Sequence, residues 1–233
     1  MTIAFDNITM DEAVGTAMGH IAARSRCRVV TPNAEFALEA KKNPRFLNIL
    51  NTSQLVLADG ISVVLASKII GDPMQGRVTG VGFAQALAAA MAKEGKSIYL
   101  LGAKPGVAEQ AAEKLRQTYP GLQIAGTHDG YFQEDGPVTE AIAASGADCV
   151  FVCLGAPKQE FWMVRNGAAT GAKLLCGLGG SLDVFAGTVE RAPKFWRDHG
   201  LEWFYRLMKD PKRIGRMMKL PLFLIHVKRE KHK

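Results

Sequence analysis

Cys149-Val150-Phe151-Val152-Cys153-Leu154, followed at once by Gly155-Ala156-Pro157-Lys158-Gln159-Glu160, decides the fold. Six apolar residues in a row, with no alternation, describe a strand buried on both faces, which is the pattern of a parallel sheet covered by helices. The glycine turn and the polar residues after it begin the crossover. Working outward, the same unit recurs. Arg28-Val29-Val30 is a short strand ending at Thr31-Pro32-Asn33, and Leu55 to Ala58 is another, ending at Asp59-Gly60. Ser97 to Leu101 closes at Gly102-Ala103-Lys104-Pro105-Gly106, Leu122 to Thr127 at His128-Asp129-Gly130-Tyr131, and Lys173 to Cys176 at Gly177-Leu178-Gly179-Gly180-Ser181.

Helical segments separate the strands. Thr9-Met10-Asp11-Glu12 reads as a capping box opening a helix to about Arg24. Asn33 can cap a second helix, which Pro44 interrupts. Helices are expected from Gly60 to Ile70, Phe83 to Lys93, Val107 to Thr118 and Val138 to Ala144, with residues 71–82 a Gly/Pro-rich loop. The fold class is therefore α/β: a Rossmann-like parallel sheet covered by helices over residues 1–190. The remainder, 191–233, reads as a helical appendage punctuated by Pro193, Pro211 and Pro221, with Leu201, Phe204, Tyr205 and Met208 at helical spacing.

Composition narrows the class further. The 233 residues are 48% hydrophobic and 22% charged, which excludes a disordered chain and a disulfide-stapled miniprotein. The net charge of +7 is unevenly placed: residues 191–233 carry 13 Lys/Arg against 4 Asp/Glu, and the rest is slightly acidic. A basic appendage with Trp196, Trp203, Phe204 and Tyr205 suits an anionic membrane surface; a solvated helical subdomain, or arginines clamping a diphosphate, reads the same residues differently. The aromatics follow helical spacing rather than forming a stacking platform, which argues against nucleic acid. No signal peptide is expected from Met1 to Asp11, and the longest apolar stretch, Leu55 to Ile70, contains Asp59 and Lys68. Cys27, Cys149, Cys153 and Cys176 form no CxxC pair and read as buried reduced thiols in a cytoplasmic protein.

Ligands of open parallel sheets bind beyond the C-terminal strand ends. Several glycine loops on that edge suit the backbone approach of a nucleotide phosphate, although each such turn also needs glycine for its own geometry. No GxGxxG, Walker-type lysine loop, HExxH or GxSxG motif occurs. Asp59, at the end of an apolar strand, is placed either to act as a general base or to cap the following helix. Thr31 and Asn33 face the same choice between the cleft and a turn with its cap.

In order along the chain, Thr31-Pro32-Asn33, Ala58-Asp59-Gly60, Arg77-Val78-Thr79-Gly80, Leu101-Gly102-Ala103, Gly130-Tyr131-Phe132, Gly155 to Glu160, Arg191-Ala192-Pro193 and Gly200-Leu201-Glu202-Trp203 with Tyr205-Arg206-Leu207 resemble the WecG/TagA/CpsF family of bacterial glycosyltransferases. The resemblance implies an inverting transfer of a hexose or N-acetylhexosamine from a UDP-sugar to a polyprenyl-diphosphate-linked saccharide, in surface polysaccharide synthesis. It also implies a peripheral place on the inner face of the plasma membrane. Asp59 matches the family's proposed base, and Thr31 and Asn33 its polar pocket residues. Gly102, Ala103, Asp129, Gly130, Tyr131, Gln159, Gly179, Gly180 and Ser181 are expected to hold the UDP-sugar. Arg191, Arg206, Arg213 and Arg216 are expected at the diphosphate and membrane. With no DxD motif, neither metal nor other cofactor is expected. A homo-oligomer is compatible with the sequence. Gly82 and Met217 depart from the family pattern, which often has an acidic and an aromatic residue there. The rival readings are a non-catalytic UDP-binding membrane adaptor and a basic-tailed nucleic-acid binder.

Overall fold

The computed structural model describes residues 2–193, 195–196, 201–209 and 219–231. Six strands form one sheet: β1 (Cys27–Val30), β2 (Leu55–Val56), β3 (Ser97–Gly102), β4 (Gln123–His128), β5 (Cys149–Cys153) and β6 (Leu174–Gly177). All pairings are parallel, in the order β2-β1-β6-β5-β3-β4. The α/β reading therefore holds.

Both faces of the sheet are buried, as unbroken apolar strands require. Val29, Leu100, Phe151 and Cys176 pack on one face with α1 (Met10–Ala22), α5 (Gly80–Lys93), α6 (Val107–Thr118) and α9 (Ser181–Ala186). Val30, Leu101, Val150 and Leu175 pack on the other, against residues from α2 (Ala34–Lys42), α3 (Pro44–Asn51), α7 (Asp135–Ser145) and α8 (Lys158–Asn166). The four cysteines are buried and reduced. Burial pushes the Cys27 and Cys153 thiols up to about 12, so neither carries thiolate at neutral pH.

Local chemistry explains the boundaries. The Thr9/Glu12 capping box opens α1. Asn43 accepts from the Phe46 amide and, with Pro44 at the first helical position, starts α3 anew. Two expectations need correction. The loop after residue 70 ends sooner than its glycines suggest, because Thr79 caps α5 through the Gly82 amide and the helix begins at Gly80 rather than Phe83. Pro221 does not punctuate the tail: it lies in the first turn of a helix, where a missing N–H costs nothing.

Beyond the sheet, α4 (Ile61–Ile70) follows β2, α10 (Glu202–Lys209) follows the core, and α11 (Lys219–Lys231) closes the described chain. Phe223 of α11 is buried against Ala34 of α2 and Ala66 of α4. No helix among the described residues is long and apolar enough to cross a membrane.

Candidate active site

The C-terminal ends of β2, β1 and β6 open into a cleft of about 390 Å3. Thr31, Asn33, Asp59, Gln159, Gly179, Gly180, Ser181 and Arg191, all singled out from sequence, line it together. They come from segments up to 160 residues apart in the chain, brought together because β1 sits between β2 and β6 in the sheet.

Each polar side chain is held by a definable bond. Asp59 does not occupy the cap position of its own helix; Gly60 does. Oδ2 of Asp59 instead accepts from the Gly80 amide, the first residue of α5, at 3.1 Å. The carboxylate is thus aimed by the start of a neighbouring helix. Thr31 is buried and its hydroxyl donates to the Gly177 carbonyl at 3.1 Å. Asn33 Oδ1 caps α2 by accepting from the Glu35 and Phe36 amides. Its role as a helix cap and its place in the cleft coexist, and its Nδ2 amide is the part left for a ligand.

Gln159 is fixed from two sides. Its Oε1 accepts from the Gly179 amide at 3.0 Å, and its Nε2 donates to Glu160 Oε1 at 2.7 Å. Glu160 is fully buried, and desolvation raises its carboxyl to about 7 against the opposing Gln159 bond. Gly177 leaves space for this pair: a Cβ there would lie 2.9 Å from Gln159 Nε2 and 3.2 Å from Glu160 Oε1. Ser181 donates to Leu178 at 2.7 Å, so its hydroxyl proton serves its own turn.

The remaining loop residues gather elsewhere on the same edge. Gly102, Ala103, Asp129, Gly130 and Tyr131 do not line the cleft. They sit over the ends of β3 and β4, where the Gly130 amide donates to Ala103 O and the Ala103 amide to Cys153 O. A Cβ on Gly102, at φ +130°, would lie 2.3 Å from that carbonyl, so only glycine fits. Asp129 Oδ1 accepts from the Tyr131 amide, and the Tyr131 ring is exposed. The chain leaves β3 toward β4 and β5 toward β6, in opposite directions, so the crevice of the topological switch point lies between β3 and β5, beside these residues. The 155–159 loop joins the two regions: Ala156 and Gln159 line the cleft, while Lys158 Nζ donates to Gly130 O at 3.1 Å.

Sequence reasoning assigned no site role to Glu35, Ser62, Arg77, Thr79, Asp183 or Glu202, all of which line the cleft. For Arg77 and Thr79 the signal was present, since both lie in the Arg77-Val78-Thr79-Gly80 motif. Arg77 Nη1 lies 3.9 Å from Glu202 Oε2 of α10, and the Tyr205 hydroxyl donates to Glu190 at 3.1 Å. These contacts bring the start of the appendage to the cleft's rim. Arg191 donates to Gln85, and a side chain at Gly82 would approach Arg191 Nη2 at 3.8 Å. The backbone of Arg206 lies in α10; Arg213, Arg216 and Met217 lie outside the described residues.

Comparison with known proteins bears on the same residues. The family model described as "Glycosyl transferase WecG/TagA/CpsF family" matches residues 1–233. The chain is 40% identical, over 85% of its length and 77% of the relative's, to an N-acetylglucosaminyldiphosphoundecaprenol N-acetyl-beta-D-mannosaminyltransferase of Bacillus spizizenii. It is 38% identical to the Bacillus subtilis protein of that name, over 88% of this chain and 80% of the relative. A Staphylococcus aureus protein of the same name is 35% identical over 99% of this chain and 92% of its own. With its parallel sheet and its convergent cleft, this chain is a glycosyltransferase and belongs to the WecG/TagA/CpsF family.

Proposed function

We propose that the protein transfers an N-acetylhexosamine from its UDP-linked form to a polyprenyl-diphosphate-linked N-acetylglucosamine, inverting the anomeric centre, with Asp59 as general base. The observation that carries this reading is the Asp59 carboxylate, aimed by the Gly80 amide into a cleft that also holds Thr31, Asn33, Gln159 and Arg191. The relatives' names supply the sugar class and the acceptor.

The chemistry follows from the arrangement. An acceptor hydroxyl oxygen attacks the anomeric carbon from the face opposite the nucleotide. A C–O bond forms, the bond from that carbon to the β-phosphate oxygen breaks, and UDP leaves with the electron pair. The hydroxyl proton passes to Asp59. Negative charge growing on the departing diphosphate needs cations and N–H donors placed in advance. Arg77 and Arg191 stand at the cleft, and Arg206, Arg213 and Arg216 of the appendage would add to them, so that side chains rather than a metal meet the diphosphate. The nucleotide would lie over the β3/β5 crevice, beside Gly102, Ala103, Asp129, Gly130 and Tyr131, with its sugar reaching past Ala156 toward Asp59. The lipid-linked acceptor fits a division at residue 191, in which a basic appendage rests on the inner face of the plasma membrane. The exposed apolar side chains of Phe204, Met208, Leu222 and Ile225 would meet that surface.

The test is a panel. Purified protein is mixed with short-chain polyprenyl-diphosphate-linked N-acetylglucosamine and each of several UDP-sugars, and both UDP release and lipid product are followed. Acceptor-dependent UDP release with an N-acetylhexosamine donor is the expected result. UDP binding without transfer to any acceptor would overturn it in favour of a UDP-binding adaptor.

A further inference from the structure

Ser62 has no part in the reaction described above, yet it is the most conspicuous polar group of the cleft wall. It is only 3% exposed, it lines the cleft, and its Oγ has no hydrogen-bond partner among the described residues. A buried hydroxyl left unpartnered costs on the order of 1–3 kcal/mol, so its retention calls for a group that completes it.

Its surroundings define what that group is. Gly60 precedes it at φ +125°, and a Cβ placed there would lie 3.6 Å from Ser62 Oγ and 3.7 Å from Asn33 Cβ. The bare Gly60 backbone thus leaves a niche between these two side chains. Gly60 is also the cap of α4 and offers no side-chain acceptor to its first-turn amides, of which Val63 donates to the Gly60 carbonyl at 3.2 Å. Asn33 Oδ1 is committed to α2, which leaves Nδ2 as its free function. The Ser62 hydroxyl and the Asn33 Nδ2 amide can both donate into the niche, and it suits an oxygen that accepts from them. The neighbouring Asp59 and Glu35 side chains disfavour an anionic oxygen. A neutral carbonyl fits.

We infer that Ser62, Asn33 and the bare backbone of Gly60 form a subsite that reads the acetamido carbonyl at C2 of the donor sugar. The inference rests on the transfer reading given above. Asp59, three residues along the chain from Ser62, serves an oxygen bonding to the donor's C1, and the ring carbon next to C1 carries the acetamido group.

The experiment measures dissociation constants of the intact protein and of Ser62→Ala for UDP, UDP-N-acetylmannosamine and UDP-mannose. Thermal unfolding of both proteins checks that the variant folds. The expected result is tighter binding of the acetylated sugar by the wild type, with that preference cut about three- to tenfold in Ser62→Ala, the effect of one hydrogen bond, while UDP affinity is retained. Equal loss for both sugars, or an unaltered preference, would overturn the subsite. So would a wild type that binds UDP but does not prefer the acetylated sugar. Failure of the wild type to bind UDP at all would instead remove the transfer reading on which the subsite rests.

Discussion

Gly80 and Asp59 are joined by a 3.1 Å hydrogen bond from the amide that begins α5 to the carboxylate that ends the β2 segment. This one contact ties a helix start to a strand end 21 residues away and sets the direction of the proposed base. It is also crowded: a Cβ on Gly80 would lie 3.2 Å from Thr31 Oγ1 and 3.5 Å from Asp59 Oδ2.

Gly80→Ala is therefore expected to disturb the site through geometry alone. Displacing a reacting group by a fraction of an ångström costs about tenfold or more in rate. The prediction is a fall of about tenfold in kcat with KM near that of the wild type, read by steady-state transfer kinetics. An unchanged kcat would show that the Gly80 contact does not position the base.

Glu160 makes stability depend on pH. Its carboxyl is raised from 4.5 to about 7 by burial, so between those values the folded chain holds a proton that the unfolded chain has released. Stability falls as pH rises through that window, and the cost is fully present above about 7. For a shift of this size it is on the order of 3 kcal/mol. Glu160→Gln keeps an acceptor for Gln159 and removes the titration. Denaturant unfolding at pH 4.5 and pH 8 should show the variant gaining on the wild type by about 3 kcal/mol between the two. Parallel pH dependences would contradict the assignment.

Phe223 fastens the last helix to the core through Ala34 and Ala66. Truncating a buried phenylalanine costs roughly 3–5 kcal/mol where nothing refills the space. Phe223→Ala should therefore free α11 while the sheet stays folded. Limited proteolysis is expected to cut the variant within residues 219–231 sooner than the wild type, and to leave a resistant core. Identical digestion patterns would contradict this role.

The architecture was legible because its strands are apolar without interruption and its punctuation is chemical. Val107 to Thr118 was readable to the residue, flanked by a glycine turn and a tyrosine cap. Leu55 to Ala58 was read as a four-residue strand, whereas β2 pairs over Leu55–Val56 only, since it is an edge strand with β1 as its one neighbour. The short helix α9, Ser181–Ala186, went unread because six residues carry no period. What the sequence could not reveal was spatial order. Strand ends were identifiable one by one, but nothing local says that β1 lies between β2 and β6. The glycine loops therefore read as one set, whereas they divide between the Asp59 cleft and the β3/β5 crevice. Ser62 and Glu160 escaped for a related reason: nothing local in the sequence says that packing buries either of them.

The most direct test of the account is transfer by Asp59→Asn, measured beside its UDP affinity. Asparagine keeps the shape and an oxygen for the Gly80 amide but accepts no proton. The account predicts a loss of at least about a hundredfold in kcat, with a UDP dissociation constant close to that of the wild type. Full transfer by Asp59→Asn would contradict the central claim and remove Asp59 from the role of base.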